Sequence, residues 1–204
     1  HFGERIFNDL KHLGFNVSII KSNSWTQLSE NINIKSFSDY NQDAALLIDI
    51  AGKDLIVNLN DGSLRGTEQT VVNETHKFKN RFLLRLIGSK EADMLNLYDI
   101  NGNFIMHEEL ANNDYIGIWY SKLMNRYNCN YSIPFSVFHQ YQREDSIHMN
   151  QYIKPIEEHF IGFDKRKGNI LPGFIIWNTE KEEYEQINPK SISAKSLPPS
   201  HFGD

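Results

Sequence analysis

Two apolar runs separated by four residues constrain this chain more than any other feature. Ala44 to Ile50 (AALLIDI) and Leu55 to Leu59 (LIVNL) read as two buried strands joined by a tight Ala-Gly-Lys turn, with Asp49 the one acid in the first run. The second run stops at Asn60-Asp61-Gly62. A buried strand that ends on a carboxylate beside a glycine can offer that carboxylate to a metal or a substrate. The same three residue types also build an ordinary β-turn. The spacing leaves both readings of Asp61 open.

The rest of the chain mixes helix and strand signals. Apolar Ile6, Phe7, Leu10 and Leu13 recur at a helical period and Gly14 follows as a stop, so residues 4–13 are expected to be helical. Strands are expected at 16–20, 32–37, 81–87, 131–135 and 173–178, and a short turn or helix at 24–28. Residues 63–79 read as loop with a short helical piece, and residues 90–103 as loop with a turn at Asp99 to Gly102. Ile116, Trp119, Tyr120, Leu123, Met124 and Tyr127 mark one face of a helix over 112–127. Pro134 places the 131–135 strand at a sheet edge or strand end, and Pro155 starts or breaks a helix within 147–160. The acidic run 180–185 reads as a solvated face, and the Pro- and Ser-rich residues 186–204 as an extended tail. Such a mixture implies an α/β or layered α+β fold, with residues 1–185 forming a single domain.

Composition excludes several classes. A net charge of −5 argues against a sequence-independent nucleic-acid binder. No run of 18 apolar residues is present, so no membrane span is expected. The amphipathic, charged N-terminus HFGERIFNDLKHLGF is not a signal peptide. A single cysteine, Cys129, can form neither an internal disulfide nor a zinc cluster, which suggests a reducing compartment and a cytoplasmic location. Cys129 has no neighbouring His and reads as a buried structural thiol. The phosphate-binding, dinucleotide-binding, zinc-protease and nucleophile-elbow motifs are all absent.

A second polar concentration lies at 133–152, IPFSVFHQYQREDSIHMNQY. It brings Ser136, His139, Gln140, Arg143, Asp145, Ser146, His148 and Asn150 together with aromatic Phe138 and Tyr141. A loop of this kind after a strand end is a usual place for binding and catalytic groups. Ser136, Tyr141, Arg143 and Asp145 are the candidates for contacting substrate, and the planar fork of Arg143 suits an anionic group. The bland alternative is a structural Arg143–Asp145 ion pair beside a satisfied histidine. A hydrolytic metal site needs carboxylates and imidazoles converging from several strands. Asp61 and His139, each just past a strand, answer that need, and His1 at the head of a helix is the remaining candidate.

Three stretches carry a resemblance to the metallo-β-lactamase superfamily. They are HFGERIFNDLKHLGFNV, ALLIDIAGKDLIVNLNDG and YSIPFSVFHQYQREDS, with DMLNLYDINGNF between the last two. The nearest branch appears in proteins like the CMP-N-acetylneuraminate hydroxylases and the lactonases and phosphodiesterases. The resemblance implies an αββα sandwich and a divalent metal, zinc or iron. It makes Asp61 the metal-bridging carboxylate, His139 the late histidine ligand and His1 a third. The family's first motif, His-x-His-x-Asp-His, does not occur, which implies a sandwich incomplete at its N-terminus. A missing N-terminal segment or a homo-oligomer would then complete it. The function implied is hydrolysis of a small anionic ester, lactone or amide, with Asp61 and Arg143 catalytic. The alternatives are an iron-dependent oxygenase of the same fold and a non-catalytic ligand-binding domain.

Overall fold

The computed structural model describes residues 2–38, 44–60, 62, 66–86, 97–106, 115–135, 140–144 and 146–187. Along the chain these form α1 (Phe2–His12), β1 (Trp25–Ser29), β2 (Ile32–Ser38), β3 (Ala44–Ile50), β4 (Asp54–Asn60), α2 (Glu68–Thr75) and β5 (Asn80–Leu86). There follow β6 (Leu97–Tyr98), β7 (Phe104–Ile105), α3 (Ile116–Arg126) and β8 (Tyr131–Phe135). Three 3₁₀ turns (Ile147–Tyr152, Ile156–Phe160, Lys165–Lys167) lead to β9 (Asn169–Ile170), β10 (Ile175–Asn178) and β11 (Glu183–Gln186). The class is mixed α/β, built on one large mixed sheet ordered β1-β2-β3-β4-β5-β8-β9.

The sheet has two halves. β1 to β4 form an antiparallel meander, and β4, β5, β8 and β9 run parallel. Parallel neighbours need crossovers, and α2 and α3 lie in the β4–β5 and β5–β8 connections. The β3–β4 hairpin turns through Ala51 and Gly52, both at positive φ (54° and 69°), a conformation that glycine adopts freely and that lets the chain reverse tightly.

Successive side chains of a strand point to opposite faces, so strands apolar at nearly every position must be covered on both. One face of this sheet is covered by α2 and α3. Leu47, Leu55, Val57 and Leu83 are fully buried there in one cluster with Val71 of α2 and Met124 of α3. α3 presents Ile116, Tyr120 and Met124 at a spacing of four. Trp119, expected on the same stripe, is instead exposed, with the Lys122 ammonium 4.6 Å from its ring. α3 approaches the 161–163 backbone so closely that a Cβ on Gly117 would sit 2.3 Å from the Ile161 carbonyl oxygen.

The opposite face is just as apolar but less covered. Leu46, Ile48, Ile56, Leu84 and Ile133 are only half-buried there. The β10–β11 hairpin lies across one end of it, where Trp177 meets the Phe82 ring edge-on at 4.9 Å.

Most expected elements are present, with three corrections. Among the described residues, 16–20 pair with no strand, and Ile19 is 66% exposed. The edge of β2 that they might have joined is taken by β1, where a turn or helix was expected at 24–28. Trp25 there pairs with Lys35 and Thr26 with Ile34. The acidic run is exposed as expected, but its last three residues belong to strand β11 (Glu183–Gln186), registered against β10. Pro134 sits where β9 no longer pairs, since β9 reaches only Tyr131 and Ser132 of β8. Pro155 separates two 3₁₀ turns, as its missing N–H requires. The expected tail and residues 112–114 of the expected helix lie outside the described residues, apart from Gln186 and Ile187 at the tail's start.

Candidate functional site

The carboxyl ends of β4, β5 and β8 lie side by side. Asn60 is registered with Arg85, Arg85 with Pro134, and Leu86 with Phe135. In open α/β sheets this edge is where ligands bind. The two polar stretches singled out in the sequence leave the sheet here. Asp61 follows the last residue of β4, and Ser136 to His139 follow the last residue of β8, with β5 between them. Strands are spaced about 4.8 Å apart, so the two departure points are separated by roughly 10 Å.

The edge is locally irregular at β4. The β4–β5 register slips between Asn58 and Asn60, and Asn60 adopts φ 50°, the left-handed region that Asn tolerates better than most residues. The Asn58 side-chain oxygen accepts from the Asn60 N–H at 3.1 Å, and the Gly62 N–H donates to the Leu59 carbonyl at 2.8 Å. Arg85 donates a further hydrogen bond from β5 to the Gly62 carbonyl. The residues on either side of Asp61 are therefore anchored, one through β4 and the other through β5. Sequence reading passed over Arg85 because it sits inside an apolar strand with no motif around it.

Beyond β8, residues 140–152 fold back on themselves. The Asn150 amide accepts from the Tyr141 N–H at 2.8 Å and donates to the Tyr141 carbonyl at 2.9 Å. That reciprocal pair closes the loop like a strand ladder would. The Arg143 carbonyl accepts from the N–H groups of Ser146 and Ile147, starting the 3₁₀ turn Ile147–Tyr152. Met149 is fully buried among Tyr141, Tyr152 and Phe104 of β7. Phe104 lies in the stretch whose Asp99 turn was expected. The Asp99 carboxylate takes hydrogen bonds from the side chain and backbone of Asn103 and from the Asn101 N–H, which hold its carboxyl below the usual range.

Of the expected substrate-contacting residues, Tyr141 is half-buried and Arg143 exposed on this loop. Ser136 and Asp145 lie outside the described residues, as do the three expected metal ligands Asp61, His139 and His1. Among the described residues no three His, Cys, Asp or Glu side chains converge to hold a metal ion. The described loop does contain one unsatisfied group of ligand chemistry. His148 meets the Phe104 ring edge-on at 5.3 Å, and its Nε2 is buried with no hydrogen-bond partner among the described residues. Cys129 is buried, and burial pushes its thiol up to about 12, which leaves it a poor nucleophile. No family model matches the chain, and no curated protein matches it at a significant level.

Proposed function

We propose that the chain is a metal-dependent hydrolase of the metallo-β-lactamase type, acting on a small anionic ester, lactone or amide at the carboxyl edge of β4, β5 and β8. The observation that carries this reading is the parallel alignment of those three strands. It ends β4 and β8 on the same edge, and in sequence Asp61 follows directly after β4 and Ser136 directly after β8, 75 positions further on. The sandwich part of the reading draws support from the half-buried apolar face, which is what a sheet in the middle of a layered fold presents.

In this reading Asp61, His139 and His1 would hold a divalent zinc or iron ion, which would supply Lewis acidity to the reaction. The unpartnered His148 nitrogen on the loop after β8 is consistent with a site that expects a further polar occupant. Arg143, exposed on that loop, orients the anionic group of the substrate through its planar fork. Arg85 and Asn58 hold the chain on both sides of Asp61 and so fix where its carboxylate starts from.

Elemental analysis of the purified chain tests the reading. About one or more equivalents of zinc or iron are expected, falling in both Asp61→Ala and His139→Ala. Metal content unchanged in both variants would sink the assignment.

A further inference from the structure

The far end of the same sheet buries a carboxylate in an unusual setting. Asp54 opens β4 and is 1% exposed. Its two oxygens accept from the Asn80 side-chain amide and from the Trp177 indole N–H, each at 2.8 Å. Both donors are neutral, and among the described residues no cation pairs with it. The neighbouring Lys53 ammonium goes to Glu180 instead. A buried carboxylate has room for about four hydrogen bonds and is normally matched by a positive charge.

Among the described residues, Asp54 is also the one acid lining a cleft of about 190 Å3 between the sheet and the β10–β11 hairpin. Ile50, Ile56, Phe82 and Leu84 form its floor, and Ile175 and Trp177 its roof. An apolar cavity of roughly 150 Å3 is enough to take up benzene. Aromatic faces are close by: Phe82 stacks on Tyr131 at 5.0 Å, and Trp177 lies 5.3 Å from Tyr131. Aromatic rings attract cations as well as apolar groups.

We propose that this cleft binds a small organic ammonium ion with an apolar body, such as an arylalkylamine, whose ammonium group docks on Asp54. The apolar walls take the ring, and the carboxylate, fixed by Asn80 and Trp177, gains the opposite charge it lacks. The site is separate from the carboxyl edge. Six residues of β4 at about 3.3 Å each put the two roughly 20 Å apart.

The Trp177 indole N–H donates to Asp54, so its proton–nitrogen resonance reports on the site directly. The three tryptophans give three such signals, and Trp177→Phe assigns the relevant one. Titration with phenethylammonium chloride is expected to shift the Trp177 signal saturably. The neutral analogue 2-phenylethanol should bind on the order of tenfold more weakly, because it lacks the charge. In Asp54→Asn the Asn80 amide can turn over and keep both contacts, and the amine's advantage over the alcohol should vanish. Ile56→Trp fills the cleft, leaves Asp54 in place and should abolish both. The proposal is overturned if the wild-type signal does not move, if amine and alcohol bind equally, or if amine binding survives in Ile56→Trp. Should Asp54→Asn fail to fold, the wild-type amine-to-alcohol ratio and Ile56→Trp decide the matter. Metal content at the other edge is read independently, so either proposal can fail alone.

Discussion

The two faces of the sheet each bury a charge and treat it in opposite ways. On the helix-covered face the Lys35 ammonium meets the Glu74 carboxylate of α2 at 2.9 Å, both side chains 9% exposed. Lys77 adds a second contact to Glu74 at 2.8 Å, and the ring of Phe37 lies 5.2 Å from the Lys35 ammonium. Lys35, Glu74 and Lys77 there each meet an opposite charge. On the other face Asp54 has, among the described residues, only neutral donors. The first face is closed by helices and finished. The second is half-covered by a hairpin, and its charge waits beside open apolar surface. A buried ion is tolerable only when it is matched, so the contrast separates a structural charge from one that has room for a ligand.

The contrast breaks most visibly at Glu74. Glu74→Ala leaves Lys35 buried without its partner and should lower stability by roughly 3 kcal/mol in urea unfolding. A loss well under 1 kcal/mol would mean that Lys35 reaches water and that the helix-covered face is less closed than described. The next effect compares adjacent residues of β5. Leu83 is fully buried beneath the helices and Leu84 half-buried on the cleft side. Leu83→Ala is expected to cost about 3 kcal/mol and Leu84→Ala about half of that or less. Equal losses would show that both faces are covered alike.

The smallest effect is in pH. His159 is 1% exposed beside Tyr120, whose phenol burial pushes up. Burial also lowers the His159 pKa below the ordinary 6.5, against smaller opposing contributions from a Lys154 backbone hydrogen bond and from Glu157 and Glu158. The unfolded chain then takes up a proton near 6.5 while the folded chain resists it. Stability should therefore fall as pH drops through 6.5, and level off once the lowered folded value is passed. Melting temperatures measured from about pH 7.5 to 5 should show this decline, and His159→Gln should flatten it. Glu74 acts further down. Burial alone would raise its carboxyl, but hydrogen bonds from Lys77 and Lys35 together hold it below the ordinary 4.5, so its contribution is lost only in stronger acid.

The covered face was legible in the sequence and the cleft was not. Nearly unbroken apolar runs mark the strands of Leu47, Leu55, Val57 and Leu83 as buried, and the period-3.6 stripe marks Tyr120 and Met124, because burial on a regular element follows its geometry. The pattern at 16–20 is equally apolar, yet a strand also needs a free neighbour, and β1 already occupies the edge of β2. Strand β11 was hidden by its charges, since a two-stranded ladder needs only backbone pairing and leaves Glu183 and Glu185 in solvent. For the candidate site, sequence singled out the two stretches but could not show that they leave the same edge. That follows from the parallel pairing of β4, β5 and β8, a long-range fact. Asp54 carries no motif at all. Its partners Asn80 and Trp177 lie 26 and 123 residues away.

β4 belongs to both halves of the sheet, and this has a kinetic consequence. The β1–β4 meander pairs residues near one another in sequence, so it closes small loops and can form early. The β4–β5 and β5–β8 pairings span longer loops and are expected to come later. The carboxyl edge exists only where those late pairings are made. A chain caught between the two stages would carry a finished hairpin and a bare β4 flank, open to pairing with another molecule before any site has formed.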